Sequence, residues 1–273
     1  MREPTKKKSW LIALCVVAFM AAFLLWLKFS SDSKIKRAVL KSLPLPIMLV
    51  ENQPVLSPEL IQRLSDYKDI YAKTDGFNEV AAKTKILERL ELEAKYSVLA
   101  RKKKASLSNW ANFVVDLPEE KGNKSALKRA QESKAREDAF KFWFFSQKNL
   151  NSSAYEIAEH LKNELNNGAD FGELSKNFNQ GAQTRSLEGD TGPITQSALL
   201  NELKEPLLSA KQGQALALPS RLGVHLIQVY LKKISDSGED VLYLKQIFLK
   251  GSDFDSWIRA ETKDYKVINL INI

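Results

Sequence analysis

Cysteine is nearly missing from this chain. Its 273 residues include one cysteine, Cys15, and two histidines, His160 and His225. Cys15 lies inside an apolar run, so the rest of the chain holds no intramolecular disulfide, thiolate nucleophile or zinc–cysteine site. A Walker loop, a nucleophile elbow and a metal-ligand cluster are also missing. No cofactor and no metal is therefore expected. The net charge is +8, part of it in Lys6-Lys7-Lys8 and Arg101-Lys102-Lys103-Lys104. No zinc-finger spacing, recognition helix or aromatic RNA-binding motif accompanies this charge, so no nucleic-acid partner is expected. It reads as a solvated surface beside an anionic membrane. Internal repeats and low-complexity segments are absent as well.

Trp10 to Leu27 is an unbroken apolar run. As a helix it measures about 27 Å, just enough to cross the hydrocarbon core. Trp10 and Trp26 stand at its ends, where an interfacial aromatic belt belongs. Lys6 to Lys8 argue for a cytoplasmic N-terminus, while Lys28, Lys34, Lys36 and Arg37 weaken that orientation signal. Two alternatives stay open. A cleaved signal peptide usually has a shorter apolar region and a small-x-small site, whereas this run ends Leu24-Leu25-Trp26-Leu27-Lys28. Lipidation at Cys15 has bulky Leu14 before the cysteine. The expectation is an uncleaved single-pass anchor in residues 1–27, with the bulk of the chain extracytoplasmic, periplasmic or at the cell surface.

Beyond a polar, basic linker (28–43), residues 46–50 read as a strand and Asn52-Gln53 as a turn. Ser57 is a good N-cap, with Pro58 at the first helical position. Two helices follow, the second from about Asn78 to Lys103 with Ile86, Leu87, Leu90, Ala94, Val98 and Leu99 at helical spacing. Lys124 to Ala139 reads as a charged helix. Phe140 to Phe145 is the densest aromatic run and reads as a strand. Ala154 to Asn166 is a helix with Ile157, Leu161 and Leu165 on one face and Gly168 as its left-handed cap. A short helix spans Phe171 to Phe178. Strands are expected at Gly213 to Pro219 and Gly223 to Leu231. The tail reads as strand (241–249), helix (254–261, capped by Ser252 or Asp253) and strand (266–273).

Three features recur in order: the helix end Gly168-Ala169-Asp170-Phe171, the turn Glu188-Gly189-Asp190-Thr191-Gly192 and the strand Gly223-Val224-His225-Leu226-Ile227. Together they resemble a parvulin-type (PpiC-like) peptidyl-prolyl isomerase domain. The strand–turn–helix–helix order of residues 46–105 resembles, more loosely, the N-terminal domain of the SurA and PrsA chaperones, whose helices wrap a client. The implied fold is α+β. It has a cytoplasmic stub and transmembrane anchor (1–27), a mostly helical SurA-N-like domain (28–139), a parvulin-like domain with a small antiparallel sheet flanked by helices (140–232), and a strand–helix–strand tail (233–273). This tail is expected to pack back on the N-terminal domain, with 266–273 pairing against 47–50.

The resemblance implies a substrate class, polypeptide with X-Pro bonds. Turning such a bond means twisting an amide over a barrier of about 20 kcal/mol, which an apolar cup and a few polar groups can lower without nucleophile or metal. It also implies site positions. The histidine of the last strand is His225, the catalytic candidate. The histidine of the first strand, in a small-x-His-Ile-Leu pattern, aligns with Trp143. The acid or thiol after the second helix aligns with Gly181, in Phe178-Asn179-Gln180-Gly181. The methionine and phenylalanine walls align with Leu199 and Leu203. Trp143, Leu199 and Leu203 are the substrate-binding candidates, and Asp190 is read as holding its turn. His225 has a second reading as a core histidine, and His160 reads as surface. Fold-carrying residues are mostly kept and chemistry-carrying ones mostly changed. The expected function is thus a membrane-anchored folding factor that binds unfolded polypeptide, with isomerase activity weak or lost. The alternative is a non-catalytic docking subunit of a membrane complex.

Overall fold

The computed structural model describes residues 22, 25–26, 34–71, 78–106, 110–114 and 124–271. The expected anchor, 10–27, lies outside them except for Ala22, Leu25 and Trp26, which are helical. Among the described residues no helix is long and apolar enough to cross a membrane. The chain divides into two compact units. One comprises Met1–Arg101, Glu120–Leu127 and Thr262–Ile273, the other Lys102–Glu119 and Lys128–Glu261.

In the first unit α1 (Lys34–Ser42) leads into β1 (Pro46–Val50), β2 (Gln53–Leu56), α2 (Ser57–Tyr71) and α3 (Glu79–Lys102). Glu51 takes a positive φ of 54° at the β1–β2 turn, so Gln53 begins a second strand rather than ending a turn into the helix. Ser57 is fully buried. Its hydroxyl donates to Leu43 O (2.8 Å) and accepts from Leu45 N–H (3.2 Å), tying the helix start to the chain before β1. The last strand, β7 (Val267–Asn269), pairs antiparallel with β1, Val50 facing Val267 and Met48 facing Asn269. The sheet order is β2-β1-β7. Ile86, Leu90 and Ala94 of α3 close the core against Ile47, Val50, Leu60 and Ile271.

The second unit begins with a 3-10 turn, Trp110–Phe113, and contains most of α4 (Lys124–Ser146). Next come α5 (Ser152–Asn166), α6 (Phe171–Phe178), α7 (Ala182–Ser186), β3 (Asp190–Thr195), α8 (Asn201–Ser209), β4 (Ala215–Ser220), β5 (Gly223–Ile234), β6 (Asp240–Leu249) and α9 (Phe254–Thr262). The antiparallel sheet has the order β3-β6-β5-β4. Alternation along β5 and β6 gives it two apolar faces. Val224, Leu226, Ile247 and Leu249 pack with Ala158, Leu161 and Phe171 of α5 and α6. Ile227, Val229, Leu242 and Leu244 pack with Leu199, Leu203 and Leu207.

Two expectations are corrected. Phe140 to Phe145 is not a strand but the end of helix α4. Phe140 and Phe144, one turn apart, are fully buried. They meet the rings of Phe254 and Trp257 at 4.8–5.9 Å. Aromatic β-propensity is weak beside burial of a helical stripe that continues from Ala135 and Ala139. The tail, 233–273, also divides. Val267–Asn269 lies in the first unit's sheet, whereas β6 runs between β3 and β5 in the second. A strand with Leu242, Leu244, Ile247 and Leu249 buried on both faces is a central strand, and the hairpin from β5 places it there.

Candidate functional site

His225 enters β5 two residues after Gly223, whose φ of 152° lets the chain turn from β4. A Cβ on Gly223 would fall 2.8 Å from the Phe248 ring, so glycine lets β5 approach β6 closely at this point. His225 is 3% exposed. Nε2 shares a 2.7 Å hydrogen bond with Ser220 Oγ, which also accepts from Leu222 N–H at 3.0 Å. Phe248, directly opposite on β6, lies 5.1 Å away between ring centroids. Burial lowers the imidazole pKa from 6.5 to about 4, with Gln246 opposing that shift. Gln246 lies two residues from Phe248 on β6, on the same face of the sheet. Nδ1 itself has no partner at hydrogen-bond geometry among the described residues. The ring is thus neutral, fixed and walled by an aromatic.

Leu199 and Leu203, on the approach to α8 and in its first turn, share this sheet face with His225 but are 8% and 4% exposed. They pack into the core with Ile227 and Val229. Trp143 is on α4, half-buried, stacked on Phe140 at 5.5 Å. It lines a cavity of about 330 Å³ with Phe113, Phe142 and Glu202. His225 is not part of that lining. Gly181 opens α7, and its Cβ position is crowded by Thr184 and Asn179. Asp190 accepts from Gly192 N–H (2.8 Å), which fits the turn role read from the sequence.

Three residues matter here that were not singled out. Asn179, 2% exposed, donates to Gln246 O (2.9 Å) and accepts from Phe248 N–H (3.0 Å), fastening β6 to the end of α6. Ser220 orients His225. Gln246 occupies the strand beside His225, where Gln246-Ile247-Phe248 keeps only the polar-Ile-apolar order of His-Ile-Leu, with Leu244 in place of the small residue.

Residues 126–233 match the PPIC-type PPIASE domain. These residues are a parvulin-type domain of the PpiC group. The match starts in α4 and stops within β5, so Gln246 and the whole of β6 lie beyond it. Chaperone SurA of Pseudomonas putida is 31% identical over 85 residues, covering 31% of this chain and 20% of that protein. Chaperone SurA of Pseudomonas aeruginosa is 33% identical over 85 residues, 30% of this chain and 20% of that protein. The match thus spans about a fifth of the length of these curated relatives. The sheet presents a buried neutral histidine opposite Phe248 and diagonal to Gln246, on a face whose apolar walls are packed.

Proposed function

We propose that the chain is a membrane-anchored, extracytoplasmic folding factor that holds unfolded polypeptide and turns X-Pro bonds slowly or not at all. The PpiC-type match and the likeness to SurA chaperones support the substrate class. The single observation that carries the weak-catalysis reading is the state of His225. His225 is 3% exposed, bonded to Ser220, and has Gln246, not a second histidine, beside it on the neighbouring strand. A glutamine keeps a polar contact but cannot exchange the proton states of an imidazole near neutral pH. Leu199 and Leu203, the expected walls of the proline cup, are packed into the core instead. The anchoring part of the reading rests on the apolar run 10–27 and its flanking tryptophans.

Aggregation suppression tests the holding activity. The full chain, at stoichiometric ratio, should delay aggregation of several unrelated unfolded proteins. Protection of one partner only, or of none, would favour the docking-subunit alternative and contradict this reading.

A further inference from the structure

Glu202 is a buried carboxylate with one oxygen unused. Its side chain is 2% exposed. Oε1 accepts from the Arg221 backbone N–H at 3.0 Å and lies 3.7 Å from Arg221 Nε. Oε2 is buried and has no hydrogen-bond partner among the described residues. Glu202 forms part of the wall of the cavity of about 330 Å³, together with Asn112, Phe113, Phe142, Trp143 and Ser146. That volume is enough for one long side chain.

The local charge is unbalanced. Asp138 and Glu202 are 9% and 2% exposed, and both lie beside one largely buried guanidinium, Arg221, at 14%. Lys134 also binds Asp138, but from the solvent side, at 58% exposure. Two buried carboxylates therefore share one buried cation, and a buried anion without a full complement of partners is costly. The aromatic walls favour the same sign. Phe113 already lies under the Arg221 guanidinium at 5.9 Å, and Phe142 and Trp143 offer further ring surface. Ring faces attract cations and cover an aliphatic stem.

We infer that this cavity binds a basic side chain, arginine or lysine, of an extended polypeptide. The charged head pairs with the Glu202 carboxylate, a side-chain rotation bringing Oε2 to the cavity, and the stem lies on Phe142 and Trp143. The inference rests on the polypeptide-binding reading above and adds a preference to it. The cavity is separate from the His225 face, though Arg221 follows Ser220 in the turn that links the two.

The test uses the full chain in detergent micelles and capped pentapeptides Ala-Ala-X-Ala-Ala, with X arginine, lysine, citrulline, norleucine or tyrosine. Binding is followed by the indole N–H resonance of Trp143, assigned with Trp143→Phe. Arginine and lysine peptides should bind at least about tenfold more tightly than the other three, since the charge is what Glu202 recognises. Glu202→Gln should erase that preference. Ser146→Leu, which fills the cavity without touching the carboxylate, should erase it too. Citrulline or tyrosine binding as tightly as arginine would overturn the inference. If Glu202→Gln fails to fold, a preference that survives Ser146→Leu overturns it alone. A denatured protein that still binds while no peptide preference appears sinks only this inference. Loss of all polypeptide binding sinks the function proposed above as well.

Discussion

His225 is held neutral because burial penalises the imidazolium more than Gln246 favours it, and its pKa falls from 6.5 to about 4. The folded value lies below the unfolded one, so the unfolded chain takes up the proton first as pH falls. The stabilising contribution is complete above about pH 6.5 and is lost between there and about pH 4. From pH 7 to pH 5 this amounts to about 2 kcal/mol. Denaturant midpoints of the wild type should therefore fall more steeply over that range than those of His225→Gln. Equal slopes would mean that the ring is not buried as described. His225 was legible from its Gly-x-His strand and the glycine before it. Its partners were not, since Ser220 and Gln246 reach it through strand register and a downstream hairpin, which local pattern does not encode.

Helix α4 shows where local reading failed and why. Five of the six residues from Phe140 to Phe145 carry strand propensity, yet the i, i+4 pairs Lys134–Asp138 and Glu137–Lys141 and the buried stripe Ala135, Ala139, Phe140, Phe144 continue the helix through them. Asn151 then closes its end, donating to Phe144 O at 2.8 Å and accepting from Ser252 N–H at 3.0 Å. Phe144→Ala removes a fully buried ring and should cost about 3–5 kcal/mol, read as a lower unfolding midpoint of the second unit. A loss below about 1 kcal/mol would contradict this packing. Elements with their own punctuation were readable. Phe171–Phe178 has Asp170 as N-cap, accepting from Glu173 N–H at 2.9 Å, and α5 ends at Gly168 with φ 93°. The first-unit pairing of Val267–Asn269 with Met48–Val50 joins two apolar segments that the sequence had set against each other. The insertion of β6 into the second sheet was hidden because Asn179 and the β5–β6 hairpin, not composition, place it.

At the scale of the whole molecule, a basic N-terminus and an apolar run precede two compact units, and the second carries the PpiC-type domain. If residues 10–27 anchor the chain, the protein should stay with membranes after an alkaline carbonate wash, and its mature N-terminus should lie upstream of residue 28. A mature chain that starts near residue 28 contradicts the anchor. Under the function proposed above, this domain holds polypeptide and its isomerase activity is weak or lost. The most direct measurement is the cis–trans rate of a short proline peptide with wild type, His225→Ala and Gln246→His, beside each protein's melting temperature. The wild-type rate should lie barely above the uncatalysed one. His225→Ala should melt lower with little change in rate, and Gln246→His should gain about tenfold in rate, the equivalent of 1.36 kcal/mol in the barrier. A brisk wild-type rate that collapses in His225→Ala at unchanged melting temperature would contradict it.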